Sequence, residues 1–407
     1  MEIEELYNLT NPQQNIFMRE QFYNGTAINN LSFTFYIKKN LNDKLCVLAI
    51  NKIIQNNDGI RIRIKTNSNE TMQYIENFNF EDIIIKHSED KTIEEVESEM
   101  EEDAKIPFIF ENSKLYKFII YKLKNGETAI YIKLHHIIAD AWATKIIFKQ
   151  FNEYYKSFEN CIENGKKIEK YTEKEINNLF KKINIEHYSY KNFITGEQKY
   201  AESKRYEKDK AFWENYVEDY PEAIPFKEIA TKKNTISDRY TNSIPFSDEI
   251  NKFCTENSIT PYAFFITVYA FYLFKTQSKR DFSIGTPLLN RQNAKEKDSI
   301  GMYVSTVPLK IHISKEKTIM EFIKSLAIEL IEILRHGHYP YNNILNYAHS
   351  KGNSNVNLFD TIISYQNVRP DLENVDYEFD NFWNFSASQQ TSFEIHLTDY
   401  NGSGKNN

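Results

Sequence analysis

Residues 115–134 read "LYKFIIYKL", then "KNGE", then "TAIYIKL". Two apolar runs of strand length are joined by Lys124-Asn125-Gly126. Asn-Gly is hairpin chemistry, because both residues tolerate a positive φ. The stretch therefore predicts an antiparallel pair. It is followed by "HHIIADAW" (135–142), after which Ile147, Phe151, Tyr154 and Phe158 fall at i, i+4, i+7 and i+11. That spacing is one apolar face of a helix. Residues 135–140 are thus a strand-to-helix connection, with Asp140 placed to cap the helix.

The same two periods run through the rest of the chain. Helices are predicted over 11–23, with Asn11 as N-cap and Pro12 in the first turn, over 41–56, and over the acidic stretch 92–104. Strands are predicted over 31–39, 60–65 and 81–87. In 60–65 strict alternation puts Arg61 and Arg63 on one face and the isoleucines on the other. Residues 160–205 are polar, lysine-rich and weakly periodic. Beyond them helices are predicted near 203–218, 248–257, 260–276 and 317–336, and strands near 281–287, 302–313, 358–366 and 391–399. Strands and helices mix in both halves, so the fold class is α/β (α+β). A chain of 407 residues has room for two or three units at about 100–200 residues each. The polar stretch divides it into 1–180 and 181–407.

Composition narrows the function classes. The net charge of −7 has both signs mixed along the chain, which argues against nucleic acid as a bulk partner. Cys46, Cys161 and Cys254 are far apart and form no CxxC, so neither a disulfide framework nor a zinc site is expected, and a reducing, cytoplasmic setting fits. The start, "MEIEELYNLT", has no basic or apolar signal region. No apolar run reaches the ~18 residues of a membrane span.

Adjacent side chains on a strand point to opposite faces, so His135 and His136 are poor joint ligands, and no third ligand accompanies them. No metal is expected. An imidazole at 136 titrates, unperturbed, near pH ~6.5 and can take and return a proton. A satisfied core histidine is the bland alternative. Asp140 could orient the imidazole, or lock the loop by pairing with Arg61 or Arg63, since a buried carboxylate needs such a partner. There is no Gly-x-Ser-x-Gly elbow and no cysteine beside a histidine to supply a covalent nucleophile. "RHGHYP" (335–340) reads as a helix C-terminus, with Gly337 at C′, histidines at the negative dipole end and Pro340 beyond.

"HHIIADAW" also resembles the HHxxxDG signature of condensation domains from nonribosomal peptide synthetases, and further segments match in order. "LTNPQQNIF" (9–17) resembles the opening LTxxQ segment. "NNDGIRIRI" (56–64) resembles RHExLRTxF, with Arg61 at the second arginine. "YAESKRYEKDKAFW" (200–213) resembles the helix between lobes. "SIGMYVSTVPLKI" (299–311) is similar to IGxFVNT, "HGHYPYNNIL" (336–345) to HQDxPFE, and "LFDTIISYQN" (358–367) to FDxxxSYQN. The matches run from about residue 10 to 367.

The resemblance implies two chloramphenicol-acetyltransferase-like lobes in a V-shaped pseudodimer, the first bearing HHxxxD. It implies amide formation between a donor acyl or peptidyl thioester and an acceptor aminoacyl thioester. Both would ride on phosphopantetheine arms of carrier domains, with no cofactor bound by the chain itself. His136 would position or deprotonate the amine. His135, Asp140 and Arg61 would be structural, Asp140 pairing with Arg61. Ala141, Trp142, Ser305, Thr306, Gln366 and Asn367 would line the substrate tunnel. Four departures stand out. Ala141 replaces the motif glycine and is expected to narrow the tunnel near His136 or to shift a donor path. Asn56 replaces the first arginine. Asn57 and Asp58 stand where His and Glu are usual. The chain stops at "DYNGSGKNN", which reads as a fragment boundary, with carrier and adenylation domains expected downstream. "GMYVST" is unlike the WFT of epimerising relatives, and the paired aspartates of heterocyclising ones are absent. A start eight residues before the first motif suits a starter domain that acylates the first amino acid. The alternatives are a stand-alone coenzyme A-dependent acyltransferase and a non-catalytic carrier-recruiting domain. A downstream carrier would exclude the first, and the presence of His136 weighs against the second.

Overall fold

The computed structural model describes residues 5–66, 70–162, 168–221, 223, 235–352, 357–366 and 378–398. The elements run β1 (Tyr7–Asn8), α1 (Asn11–Phe22), β2 (Asn30–Ile37), α2 (Asp43–Asn56), β3 (Ile62–Thr66), β4 (Thr71–Ile75), β5 (Ile84–Ser88), α3 (Ile93–Ala104), β6 (Tyr116–Leu123), β7 (Thr128–His135), α4 (Trp142–Cys161), α5 (Glu173–Lys182) and α6 (Lys191–Ala201). Then follow α7 (Lys204–Tyr216), α8 (Ser247–Glu256), α9 (Pro261–Gln277), β8 (Asp281–Leu288), β9 (Ser305–His312), α10 (Ile319–His336), α11 (Tyr341–Ser350), β10 (Thr361–Gln366), β11 (Phe379–Asn384) and β12 (Phe393–Thr398).

The chain forms two compact units. One comprises Met1–Glu197, Arg291–Met302 and Pro370–Ser388, the other Gln198–Asn290, Tyr303–Arg369 and Gln389–Asn407. This differs from the expected division into 1–180 and 181–407. The chain returns to the first unit twice, and each return has a local cause. Strand β11 pairs with β2 over six residues, from Phe379↔Ile37 to Asn384↔Ser32. Segment 291–302 is tied to the loop after β7, as shown below.

The first unit is built on a five-stranded sheet of order β11-β2-β7-β6-β5. The predicted hairpin is β6–β7, in register from Tyr116↔Leu134 to Lys122↔Thr128. All eight residues of β7 are buried. Covered faces explain this: a sheet with helices on both sides needs apolar residues on both. On one side Tyr36, Tyr121 and Tyr131 join Val96 and Met100 of α3 in a shared core. On the other, Phe35 meets Phe148 of α4 with ring centroids 4.6 Å apart. The predicted α4 face is fully inside, with Ile147, Phe151, Tyr154 and Phe158 at most 2% exposed. Each apolar side chain of that size contributes roughly 1.5–3 kcal/mol on burial. Phe151→Ala would cost about 3–5 kcal/mol through the cavity left behind.

Three local expectations are corrected. The N-cap of α1 is Thr10, not Asn11. Gln13 lies three residues after Thr10, so the two close a capping box: Thr10 N–H donates to Gln13 Oε1 at 2.9 Å, and the Thr10 side chain accepts from Gln13 N–H. Residues 58–61 form a 3-10 turn, so β3 begins only at Ile62. Arg61 falls in that turn, so it does not share a strand face with Arg63 as alternation predicted. Arg63 is 1% exposed, pairs with Glu76 at 2.5 Å and lies over the Tyr116 ring.

The second unit carries a four-stranded sheet of order β12-β10-β8-β9. Its core gathers Trp213 of α7, Phe282 and Ile284 of β8, Leu309 and Ile311 of β9, and Phe322 and Leu326 of α10. Helix α10 opens with a Thr318–Glu321 capping box and ends at His336, with Gly337 as its C-cap. Gly337 has φ −68, not the left-handed conformation expected of a C′ glycine. Glycine is needed there for space: a Cβ would sit 2.3 Å from Leu288 Cδ1.

Candidate active site

The sheet delivers the two histidines at the last residue of β7 and the first beyond it. The backbone of both is pinned: His135 N–H donates to Leu115 O at 2.8 Å and His136 N–H to Asn29 O at 2.7 Å. A turn follows, closed by Ile138 N–H to His135 O at 3.0 Å. The Gln13 side chain donates to Ile137 O at 3.1 Å, which gives the glutamine of the opening motif a place at this loop.

The two imidazoles are held in opposite tautomers. His135 is 2% exposed; its Nδ1 accepts the Ile137 N–H at 3.1 Å, so its proton sits on Nε2, which faces Glu20 Oε2 at 3.2 Å. Both nitrogens are used. His136 is partly exposed and places Nδ1 2.9 Å from Ala139 O. A carbonyl only accepts, so the proton is on Nδ1, and Nε2 keeps its lone pair. Nε2 has no hydrogen-bond partner among the described residues. Burial, with the positive charge of Arg19 adding to it, lowers the His136 pKa to about 4. The ring is therefore neutral at pH 7: a hydrogen-bond acceptor that carries no charge.

Asp140 does not pair with Arg61. Its Oδ2 meets Arg291 Nη1 at 2.6 Å, and both side chains are at most 1% exposed. Asp140 Oδ1 accepts the N–H of Trp142, so the acid still helps start α4, although Ala141 holds the formal cap position. Arg61 instead donates to the backbone carbonyls of Ile54 at 3.1 Å, Gln55 at 3.3 Å and Glu76. It braces the turn before β3. The reason is geometric: Arg61 falls in the 3-10 turn, not on a strand face aimed at the loop. Ala141 has φ −59 and ψ −26, a conformation open to any residue, so the motif glycine is not required by the backbone here.

Segment 291–302 is bound along its length within the same unit. Arg291 also donates to the carbonyls of Glu296, Ser299 and Gly301. Trp142 Nε1–H donates to Lys297 O at 2.9 Å, and Asp298 meets His187 at 3.0 Å and Lys149 at 3.3 Å. Tyr190 OH donates to Met302 O at 2.7 Å. Gly59 and Gly301 are needed for this fit, since a Cβ on either would lie 2.1 Å from Ile300 O or the Tyr190 ring.

The structure thus gathers His135, His136, Asp140, Ala141 and Trp142 on one connection. Ser305 and Thr306 open β9 and Gln366 ends β10, all in the second unit; Gln366 Oε1 is buried with no partner among the described residues. Asn367 lies outside the described residues. Among those described, no group of three or more His, Cys, Asp or Glu could hold a metal, and no helix is long and apolar enough to cross a membrane. Sequence reasoning missed Glu20, Asn29 and Arg291. Glu20 had a readable signal: it falls at i+7 from Gln13 and i+4 from Ile16, on the buried stripe of α1. Arg291, 151 residues from its partner, had none.

A family model described as a condensation domain matches residues 3–405. The chain is 32% identical over 409 residues to surfactin synthase subunit 1 of Bacillus subtilis (strain 168), and 24% identical over 379 residues to gramicidin S synthase 2 of Brevibacillus brevis. These matches cover 98% and 91% of the chain, which spans only 11% and 8% of those relatives. Among solved structures, the starter condensation domain of rhizomide synthetase, in a variant bound to C8-CoA, superposes with a TM-score of 0.83 at 17% identity, covering 98% of this chain and 88% of that one. The first condensation domain of the calcium-dependent antibiotic synthetase, bound to a substrate analogue, gives 0.80 at 16% identity, with coverage of 99% and 90%. At such identities the structures speak for the fold.

Proposed function

The chain belongs to the condensation-domain family, and on that premise we propose that it joins a donor acyl thioester to the amine of an acceptor aminoacyl thioester in nonribosomal lipopeptide synthesis. The amine nitrogen attacks the thioester carbonyl, the C–S bond breaks, and the thiol leaves as the amide forms. The observation that carries this reading is the accepting Nε2 of His136, fixed as the acceptor because Nδ1–H donates to the Ala139 carbonyl. An imidazole near pKa 4 is a poor resting base for an ammonium group. We infer that His136 accepts a hydrogen bond from the already neutral amine, orients it, and takes its proton only as the new bond forms. Such a positioned acceptor supplies roughly 10²–10⁴-fold, and holding both substrates together supplies much of the rest.

His135 and the Asp140–Arg291 pair act by fixing the loop. Both substrates would arrive on phosphopantetheine arms of carrier domains, with an adenylation domain elsewhere in the same assembly, and the cytoplasm is the proposed setting. Tunnel roles for Ala141, Trp142, Ser305, Thr306, Gln366 and Asn367 belong to this proposal. Starter condensation domains among the structural neighbours support a fatty acyl donor, and the C8-CoA complex supports including coenzyme A thioesters among the donors tested. The experiment is intact-protein mass spectrometry of an aminoacyl carrier domain incubated with this protein. Fatty acyl-carrier, acyl-coenzyme A and peptidyl-carrier donors are offered in parallel. An added fatty acyl mass supports the starter reading, and transfer from the peptidyl donor alone replaces it with chain extension. No mass shift from any donor, on folded protein, overturns amide formation.

A further inference from the structure

Behind His135 lies a chain of polar groups that the proposed reaction does not itself require. Glu20 Oε2 meets His135 Nε2 and also accepts from Asn29 Nδ2 at 2.6 Å. Asn29 Oδ1 accepts from Arg19 Nε at 2.7 Å, and the Asn29 carbonyl holds the His136 N–H. Glu20 is 7% exposed and Asn29 1%. Burial pushes the Glu20 carboxyl up, but its His135 and Asn29 donors and the Arg19 charge outweigh this and leave it below the ordinary range. The acid is a carboxylate at neutral pH. Burial also holds His135 below its usual value, against the opposing pull of Glu20, which keeps that ring neutral.

We propose that Glu20 is a positioning residue: through His135 and the turn at Ile137, it sets which nitrogen of His136 accepts a proton. This rests on the reading that Nε2 of His136 is the accepting atom. The logic follows from donors and acceptors. Were the His135 proton on Nδ1, it would face the Ile137 N–H, donor against donor at 3.1 Å, and the bare Nε2 would face the carboxylate, acceptor against acceptor at 3.2 Å. Glu20 and Ile137 N–H therefore enforce one tautomer together. That tautomer lets His135 hold Ile137 N–H, which shapes the turn that brings the Ala139 carbonyl to His136 Nδ1–H. Without an acceptor at Glu20, a buried N–H is left unmatched and the His135 ring is released to turn over. The Ala139 carbonyl is then no longer fixed. His136 can move its proton to Nε2, and in that form it cannot accept the amine's hydrogen.

Glu20→Gln keeps an oxygen that can accept from both His135 and Asn29; Glu20→Leu keeps none. The full chain, labelled with ¹⁵N-histidine, is measured at pH 7 by two-bond ¹⁵N–¹H correlation, which reads the tautomer of each ring. The His136 signals are those lost in His136→Ala. We expect the Nδ1–H form of His136 in the wild type and in Glu20→Gln. In Glu20→Leu we expect a mixture, with kcat at least about tenfold lower at an unchanged KM, while Glu20→Gln stays near wild type. A pure Nδ1–H form and wild-type kcat in folded Glu20→Leu overturn the proposal. Should Glu20→Leu not fold, the other two spectra decide: an Nε2–H form in either overturns it, and Nδ1–H in both supports it. The tautomers are read without substrate, so a wild type with no condensation activity sinks the functional reading and leaves this relation standing.

Discussion

At the end of β7, His135 gives its Nε2–H to Glu20; at the end of α10, His336 meets Asp209 at 2.7 Å. The second junction is bound as tightly as the first. Phe212 stacks on the His336 ring with centroids 4.1 Å apart, Trp213 Nε1–H donates to the His336 carbonyl at 2.8 Å, and Tyr200 OH donates to Asp209 at 2.8 Å. These contacts tie the end of α10 to α7. The first junction differs by one residue. His136 has a carbonyl for a partner instead of a carboxylate, and a carbonyl fixes the ring without adding a counter-charge that would raise its pKa. A histidine beside an acid marks a structural anchor at both junctions. Nε2 has no hydrogen-bond partner among the described residues on either His136 or His336; the reactive candidate is His136, whose other nitrogen meets a neutral carbonyl and not a carboxylate.

The contrast can be broken at several points. The largest effect is expected at the Asp140–Arg291 pair. Asp140→Ala leaves a buried guanidinium with a carboxylate missing and should cost about 3–5 kcal/mol in urea unfolding. The double variant Asp140→Ala/Arg291→Leu should recover part of that loss, and purely additive losses would show that the two groups act separately. His336→Ala comes next. It removes a donor from buried Asp209 and should cost about 1–3 kcal/mol while leaving kcat of the folded protein unchanged. A kcat loss there would erase the distinction between the junctions.

Acid provides a third test. The His136 pKa is about 4 when folded and ordinary, near ~6.5, when unfolded. Its contribution to stability is therefore present above pH ~6.5 and is lost as the pH falls toward 4, because the unfolded chain takes up the proton first. The same shift keeps the acceptor neutral, so loss of single-turnover rate on acidification from pH 7 should be absent down to about pH 5 at a fixed concentration of free amine. A half-loss near 6.5 would mean an unperturbed imidazole. The smallest effect is expected for Ala141→Gly, which relieves no strained φ and should lower stability by about 0.5–1 kcal/mol at most. A gain in stability would mean that the methyl group is crowded.

How far the sequence could be read follows from distance along the chain. The hairpin β6–β7, the buried face of α4 and the strand-to-helix loop were legible because each is written within a few turns or strand residues. The resemblance supplied the family and singled out His136. What was not legible depends on partners far away. The pairing of β11 with β2 spans more than 340 residues, and "FDNFWN" alternates too poorly to announce an edge strand. Arg63 was a candidate partner for Asp140 on alternation alone; Glu76, just past β4, and Tyr116 of β6 occupy it instead. Helices α5 and α6 lie in polar, lysine-rich sequence: α5 buries only Leu179 and Phe180, and the buried stripe of α6, Phe193, Ile194, Glu197 and Tyr200, is interrupted by an acid. Asp140 needed an arginine, and the sequence offered two nearby; the fold supplied a third from segment 291–302.

The central claim is that the free nitrogen of His136 does the chemistry, and the single-turnover rate of acceptor acylation by His136→Ala, beside wild type at pH 7, tests it most directly. We expect unchanged thermal unfolding and a rate lower by about 10²–10⁴-fold. A folded variant within threefold of wild type would contradict the account.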